Sequence, residues 1–256
     1  MVQHEYPILE FDSTTRAMIE PARYIQPLAG IPEACVLCFF QEAISSACGE
    51  DKGEVVHYLG SEIGRVPVYV LAVNGQRLTV THPGVGAPLA AGLLEEMIAL
   101  GCRKFIACGG AGVLVKELAL GHVVIPASAV RDEGTSYHYL PPSREVSADP
   151  AAVAAIERVA QQHGIPYVAG KTWTTDAIYR ETPAKVQRRR EEGCITVEME
   201  AAAFFAVAQF RGVQFGQILY SGDDLSAEEW DSRDWHRQAS IREKLFWLAA
   251  EAALQL

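Results

Sequence analysis

The residues best suited to chemistry are acidic side chains that stand beside apolar segments. Glu198 and Glu200 come just before the run 201–208, which is apolar on every side of a helix and therefore predicts a largely buried helix. A carboxylate at its start either complements the positive helix end or accepts hydrogen bonds from two adjacent sugar hydroxyls. We expect Glu200, the nearer of the two to the helix, to bind a sugar.

A second acidic pair, Asp223 and Asp224, follows the apolar strand predicted at 217–220. Adjacent carboxylates raise each other's pKa, and burial raises it further, so one of the two would stay protonated near neutral pH and act as a general acid. The alternative is that they cap a turn. Arg233 and Arg237 follow, either as partners of these acids or as exposed helix residues.

Glycines end two predicted strands. Gly84 and Gly86 lie between a strand and a helix, and Gly109 and Gly110 end the next strand. Glycines there let a ligand approach backbone N–H groups, although tight-turn packing explains the first pair equally well. Two strand ends without side chains leave a crevice, where open α/β sheets bind ligands. The dinucleotide pattern needs a third glycine where Leu89 stands, which disfavours a nicotinamide-dependent dehydrogenase.

The elements that position these residues alternate between short β-branched runs and longer helical patterns, which predicts an α/β fold with parallel strands and crossover helices. Strands are predicted at 35–39, 66–73, 78–81, 105–108, 122–126 and 217–220. Helices are predicted at 88–100, 150–163, 183–192, 200–210 and 240–254. Without an internal repeat or a low-complexity linker, the chain is interpreted as a single domain, 1–256.

Composition excludes several classes of protein. The chain has 256 residues, of which 49% are hydrophobic and 21% charged, with a formal net charge of -10. This apolar content excludes a disordered chain, and the apolar stretches are shorter than the about 20 residues of a transmembrane helix. The acidic balance disfavours nucleic acid polymers. Since the first ten residues lack the features of a signal peptide, we expect a cytoplasmic protein with no membrane partner.

The six cysteines mostly lie in apolar segments, so we expect free thiols that pack as small hydrophobic groups. Cys35 and Cys38 form a CxxC pair, but no second Cys/His pair follows at the spacing of metal ligands. The sequence therefore predicts no metal site.

Five segments, taken in order, resemble the superfamily of nucleoside phosphorylases and nucleosidases, which includes purine nucleoside phosphorylase, uridine phosphorylase and methylthioadenosine nucleosidase. They read GVGAP at 84–88, CGGAG at 108–112, GHVVIP at 121–126, TTDAIY at 174–179 and VEMEAAA at 197–203. The resemblance implies a three-layer α/β/α fold around a central mixed sheet. It also implies a homo-oligomer (dimer, trimer or hexamer) with its sites near subunit interfaces.

The resemblance implies roles for residues on the sugar side of the site. Met199 and Glu200 match the ribose-binding pair, with Glu200 on the 2′ and 3′ hydroxyls and Glu198 beside them. His4 matches a histidine near the amino terminus that reaches a neighbouring subunit's ribose site in some members, although a terminal histidine without a role fits equally well.

On the base side, Ile178 and Tyr179 match the segment that stacks on the base, the alternative being that both belong to the core. Asp223 is similar in place to the acid that protonates a leaving purine. Because Gly222 shifts the usual Ser-Asp spacing, the choice between Asp223 and Asp224 stays open. Arg180-Glu181-Thr182 does not match the Gln and Arg of uridine phosphorylases, so uracil is not supported, and Asp223 favours a purine without fixing which base is bound.

The acceptor site departs from the phosphorylase pattern. Family phosphorylases hold phosphate with two sets of arginines, one after the first strand and one within the strand that ends in the second glycine cluster. In this chain the first position reads FFQEAI at 39–44, and the second is occupied by Ile106, so both lack an arginine. A dianion needs cations or several N–H donors, and Arg131 is one candidate replacement. Nucleosidases instead carry glutamates after the first strand that orient water, and Glu42 resembles one of these.

These observations predict an enzyme that cleaves the N-glycosidic bond of a nucleoside, with phosphate as co-substrate and no other cofactor. Asp223, Asp224 and Glu42 are the catalytic candidates, and the four glycines line the acceptor site. The first alternative is a nucleosidase that uses water, because the usual arginines are missing. The second is a nucleoside-binding protein without turnover.

Overall fold

One mixed sheet carries the elements that form the site. The computed structural model describes residues 3–50 and 52–256. Within them the strands are β1 (Ala34–Cys38), β2 (Gly53–Ser61), β3 (Gly64–Val73), β4 (Gln76–Thr81), β5 (Lys104–Val113), β6 (Val123–Asp132), β7 (Glu145–Ser147), β8 (Tyr167–Thr175), β9 (Cys194–Glu198) and β10 (Gln214–Asp224). The α-helices are α1 (Pro21–Tyr24), α2 (Gln41–Cys48), α3 (Ala87–Leu100), α4 (Pro150–Gln162), α5 (Pro183–Glu191), α6 (Ala201–Arg211) and α7 (Ala239–Leu254).

The strand order brings the ends of three parallel strands to one edge. The order is β10-β6-β8-β9-β5-β1-β4-β3-β2, and β7 pairs with β6. β1 and β10 both run parallel to β5, so their carboxyl ends and that of β5 meet. β9 runs antiparallel to β5 at this end, with Val197 opposite Gly112. Because β10 also pairs with β5, strands β5, β9, β8, β6 and β10 close into a ring.

Helices cover both faces of this sheet and give the expected three layers. One face is packed by α2, α4 and α7, with Ile44, Ile156 and Phe246 in a shared apolar cluster. The other face is packed by α3 and α6, with Leu94 and Phe204 in a second cluster. Burial of these side chains is the main stabilising contribution to the sheet's position between its helices.

Local sequence explains where the helices begin and end. Asp149 accepts a hydrogen bond from the N–H of Ala152 and caps α4, and Thr182 caps α5 by accepting from the N–H of Lys185. A proline stands in the first turn of each of these helices, where its missing N–H costs nothing. α6 ends at Gly212, which adopts the left-handed conformation with φ +66°.

The α/β fold with a central mixed sheet is confirmed, as are the five predicted helices, within one residue at their ends. The six predicted strands are present, but β5 and β6 continue five and six residues beyond their predicted ends at 108 and 126. The expectation of parallel strands holds only for part of the sheet, because β2, β3 and β4 form an antiparallel meander. Strands β2, β7, β8 and β9 and helices α1 and α2 were not predicted, since their apolar patterns are short or interrupted. All six cysteines are free and buried, as expected. No described helix is long and apolar enough to cross a membrane.

Candidate active site

A cavity of about 440 Å³ opens where the strand ends meet, between the N-terminal end of α6 and the C-terminal part of the chain. Strands β5, β9 and β10, helix α7 and the segments that connect the elements contribute to it. Its lining comprises Phe39, Phe40, Val85, Gly109, Gly110, Ala111, Gly112, Ile178, Glu181, Val197, Glu198, Met199, Glu200, Gln217, Gly222, Asp223, Trp235, His236 and Arg242.

The glycines at the end of β5 make room for two aromatic rings, that of Phe39, which lines the cavity, and that of Tyr220. A Cβ atom added at Gly109 would lie 3.0 Å from the ring of Phe39, and one at Gly110 would lie 3.1 Å from the ring of Tyr220. Both distances are shorter than ordinary van der Waals contact. The predicted crevice is therefore present, and its glycines are explained by packing against these rings.

Glu198 caps the buried helix α6. Its Oε1 accepts a hydrogen bond from the Thr174 hydroxyl at 2.6 Å, and its Oε2 accepts from the N–H groups of Glu200 and Ala201 at 2.7 and 2.6 Å. This is the anion-stabilising helix end that the sequence suggested as one alternative. Because protein donors occupy both its oxygens, Glu198 positions the start of α6 rather than offering a free carboxylate.

Glu200 presents its carboxylate differently. Its Oε1 accepts a hydrogen bond from the N–H of Gly86 at 2.6 Å, which joins the starts of α3 and α6. Gly86 has φ +87°, a conformation that glycine adopts without strain. Among the described residues no donor bonds to Oε2 of Glu200, so this oxygen remains for a ligand in the cavity.

The two glutamates perturb each other. Burial raises the pKa of Glu198 to about 7, and burial together with the neighbouring charge of Glu198 raises the pKa of Glu200 to about 8. Two buried carboxylates without a cation beside them resist being ionised together. In the empty site they therefore hold a proton near neutral pH.

The structure separates the two candidate acids. Asp223 lines the cavity, and its Oδ2 accepts a hydrogen bond from the Trp230 indole at 2.7 Å. Burial raises its pKa. Asp224 instead forms an ion pair with Arg233 and accepts from the N–H of Ser226 at 2.7 Å. Burial acts to raise the pKa of Asp224, but the bonds from Ser226 and Arg233 outweigh it and lower that pKa.

Glu181 is an acid of the cavity that sequence reasoning did not assign. Burial raises its pKa to about 7, and the negative charge of Asp223 adds to the effect. This part of the cavity therefore carries two carboxyl groups, Glu181 and Asp223, whose pKa values are both raised.

Arg242 is the cation of the cavity. It extends from α7 and donates to Glu42 Oε1 from Nη1 at 2.7 Å, to Tyr220 Oη from Nε at 3.2 Å and to the Trp235 carbonyl from Nη2 at 3.2 Å. Its guanidinium also lies over the Phe40 ring, 5.1 Å from the centroid. These contacts hold a buried, fully ionised group at the end of β1, where the expected arginines are missing.

Glu42 reaches the site only through Arg242. It lies in the first turn of α2, its side chain is 46% exposed, and it is not among the residues that line the cavity. Partial burial acts to raise its pKa, but the hydrogen bond and charge of Arg242 lower it. Its carboxylate is therefore ionised and paired.

The other candidate residues divide between the cavity and the surface. Met199 and Ile178 line the cavity, whereas Tyr179 is 95% exposed and lies outside it. Gly84 packs against the Leu89 side chain, as the tight-turn alternative proposed. Val85, between Gly84 and Gly86, supplies the lining of this loop.

Arg131 and His4 lie outside the cavity of this subunit. Arg131 is buried and donates to Ser136, Ser143 and the carbonyls of Leu140 and Pro141, so it stabilises its own loop. Arg131 is therefore not the replacement for the missing arginines that the sequence suggested, because it does not line the cavity and its guanidinium donates to its own loop. His4 is exposed, and its backbone N–H donates a hydrogen bond to the Glu10 carboxylate at 3.0 Å.

The sequence matches a known protein family. Residues 33–253 match the family model described as the phosphorylase superfamily. The chain belongs to the phosphorylase superfamily. The family resemblance stated from the five sequence segments is thereby confirmed.

Individual relatives of this superfamily are distant. The chain is 30% identical to guanosine phosphorylase of Halorubrum lacusprofundi over 60% of its own length and 64% of the relative's, and 30% identical to uridine phosphorylase of Thermococcus kodakarensis over 57% of each. It thus spans less than two thirds of both relatives. The crystal structure of uridine phosphorylase from Vibrio fischeri superposes with a TM-score of 0.76 at 20% identity, covering 94% of this chain and 100% of that one.

For this superfamily member, the cavity residues without a role in the sequence interpretation include Glu181, Gln217 and Arg242. Glu181 lies two residues after Tyr179 of the predicted base-stacking segment, and Gln217 is a polar residue in an apolar strand, so the sequence signal for both was weak. Arg242 stands three positions before the buried Leu245 on α7, a spacing that places it on the inward helix face. Only the packing of α7 against the sheet shows what it meets there.

Proposed function

We propose that this protein is a nucleoside phosphorylase, which cleaves the N-glycosidic bond of a nucleoside and transfers the pentose to phosphate. One observation carries the proposal: the carboxylate of Glu200, the carboxyl of Asp223 and the guanidinium of Arg242 line a single cavity. The names of the relatives, guanosine and uridine phosphorylase, support the same activity.

Glu200 binds the pentose. Its free Oε2 faces the cavity, and a carboxylate accepts hydrogen bonds from two neighbouring hydroxyls. Met199, adjacent in sequence, packs against the sugar. When the hydroxyls donate to Glu200, they replace the proton that the empty site holds and stabilise the ionised form.

Asp223 protonates the leaving base, with Glu181 beside it. As the glycosidic bond breaks, negative charge develops on the base and positive charge on the sugar ring, and the acid neutralises the former. Two carboxyl groups with raised pKa values fit donation to a purine nitrogen, so a purine nucleoside is the proposed substrate class. Ile178 packs on the base at the mouth of the cavity.

Arg242 supplies the positive charge for phosphate. Phosphate is a dianion whose desolvation has to be offset, and a guanidinium provides both charge and directed donors. It reaches the end of β1 from α7 and thus takes the place of the arginines that are missing after β1 and in β5.

The test is base release from a panel of guanosine, inosine, adenosine and uridine, with and without inorganic phosphate. We expect release that requires phosphate and yields pentose 1-phosphate, with purines preferred. Asp223→Asn serves as the inactive control. Absence of turnover with every nucleoside, combined with ligand-dependent thermal stabilisation, would instead identify a binding protein.

Hydrolysis is the second candidate, and the Glu42–Arg242 pair favours it. Glu42 pairs with the guanidinium that phosphate would need, so this charge is already neutralised and a neutral water is a possible acceptor. Base release at an unchanged rate in phosphate-free buffer would establish this alternative and refute phosphorolysis.

We further propose a homo-oligomer. Val85 and Ile178 line the cavity and remain 62% and 52% exposed, so the mouth is apolar and open in a single subunit. A second subunit over this mouth would exclude water from the reacting sugar, and His4 of a neighbour is the proposed contribution. Measuring mass by light scattering, and activity as a function of protein concentration, tests this.

A further inference from the structure

Gln217 is a buried amide of the cavity whose hydrogen bonding is incomplete. The residue is 1% exposed and lines the cavity. Its Oε1 has no hydrogen-bond partner among residues 3–50 and 52–256. An unpaired buried polar atom destabilises a folded protein, so a side chain kept in this state is a candidate for a ligand contact.

The position of Gln217 defines which end of the cavity it serves. It lies on β10, opposite Ala107 of β5 and six residues before Asp223 on the same strand. At about 3.3 Å per residue, this separates the two backbone positions by up to roughly 20 Å. The cavity therefore extends from Asp223 inward along β10 to Gln217.

The chemistry of the displacement reaction indicates which end of the cavity binds the base and which binds the acceptor. An acceptor attacks the sugar carbon on the face opposite the leaving base, so the acceptor and the general acid stand on opposite sides of the pentose. The proposed function, on which this inference rests, places the base at Asp223 and the sugar at Glu200. The acceptor therefore binds at the inner end of the cavity, where Gln217 lies.

We propose that Gln217 is an acceptor-binding residue, whose amide donates a hydrogen bond to a phosphate oxygen and accepts one from the phosphate hydroxyl. The two atoms of the amide suit the monoanion of phosphate, which offers both kinds of partner. A neutral amide also adds no charge to a cavity that already contains Glu198 and Glu200. Arg242 supplies charge, and Gln217 fixes orientation.

Gln217→Met tests the contact, because methionine has the same unbranched length without polar atoms. We expect the KM for phosphate to rise about 10- to 100-fold, as for loss of one hydrogen bond to a charged group, while the KM for nucleoside changes less than about threefold. Stabilisation of the protein by inorganic phosphate alone, measured as a Tm shift, falls in parallel. In the absence of phosphate, the Tm of Gln217→Met should equal or exceed that of the wild type, because the substitution removes the unpaired buried oxygen.

Gln214→Met is the matched control, on the same strand but outside the cavity, and should leave both KM values unchanged. Gln217→Glu, which adds negative charge at the same length, should weaken phosphate binding further than Gln217→Met. A normal KM for phosphate in Gln217→Met, or a rise confined to the nucleoside KM, overturns the assignment and leaves the proposed function standing. Phosphate-independent base release by the unmodified protein overturns both.

Discussion

The carboxylate of Glu200 accepts a hydrogen bond from the backbone N–H of Gly86 at 2.6 Å, across 114 positions of sequence. This bond connects the N-terminal ends of α3 and α6, two helices that pack on the same face of the sheet. It holds Glu200 in one orientation before any ligand binds. A sugar-binding carboxylate thus loses little conformational freedom on binding.

The raised pKa of Glu200, about 8, makes the empty protein sensitive to pH. An ordinary carboxyl has a pKa near 4.5, so between that value and 8 the folded protein holds a proton that the unfolded chain releases. The stabilising contribution is complete below about 4.5 and is lost as the pH rises toward 8, with a slope of at most about 1.4 kcal/mol per pH unit. We expect Glu200→Gln to flatten this decline.

Denaturant unfolding between pH 5 and 9 measures the effect as the difference between wild type and Glu200→Gln. Equal slopes for the two proteins would contradict the assigned pKa. The same variant should raise the KM for nucleoside strongly and leave the KM for phosphate unchanged, since only the sugar contact is altered.

The two adjacent aspartates should separate in function. Asp223→Asn is expected to lower kcat about 10²- to 10⁴-fold, the usual contribution of a general acid. Asp224→Asn removes the partner of Arg233 at an ion pair outside the cavity, and is expected to lower Tm while changing kcat less than about tenfold. A pentoside with a 4-nitrophenyl leaving group needs no protonation, so it should remain a substrate of Asp223→Asn. Equal losses in both variants would refute the separation.

Substitution of Glu42 distinguishes the two acceptors. If phosphate binds Arg242, Glu42→Gln removes a competitor for the guanidinium, and the KM for phosphate should fall roughly two- to fivefold with kcat retained, the range of an exposed ion pair. If water is the acceptor and Glu42 orients it, kcat should collapse instead. Steady-state kinetics with phosphate varied gives the answer.

Arg242 should dominate the phosphate KM. Arg242→Met removes the charge and is expected to raise that KM roughly 10- to 100-fold. Arg242→Lys keeps the charge but loses the planar donors and should be intermediate. Arg237→Met, an exposed arginine on the segment leading into α7, is the control and should have no effect. Comparing Tm values checks that loss of the bonds to Tyr220 and Trp235 has not unfolded the protein. An unchanged phosphate KM in a folded Arg242→Met would exclude this role.

Sequence alone predicted the local features of this protein well. The apolar run 201–208 predicted a buried helix, and all eight of its residues are buried. The glycine-ended strand and the order of five short segments predicted the superfamily. These signals are local, because helix periodicity, caps and turn glycines depend on neighbours within a few residues.

Tertiary structure decided which chemical groups share the cavity. Glu198 and Glu200 differ by two positions, yet the Glu198 carboxylate caps α6 whereas that of Glu200 bonds to Gly86 across the sheet face, because a helix start points neighbouring side chains in different directions. Arg242 lies 200 positions from Glu42 in sequence. Gln217 becomes a candidate for ligand binding only because its side-chain oxygen, Oε1, is buried without a hydrogen-bond partner among the described residues. Such contacts follow from how α7 and β10 pack in three dimensions, which no short stretch of sequence encodes.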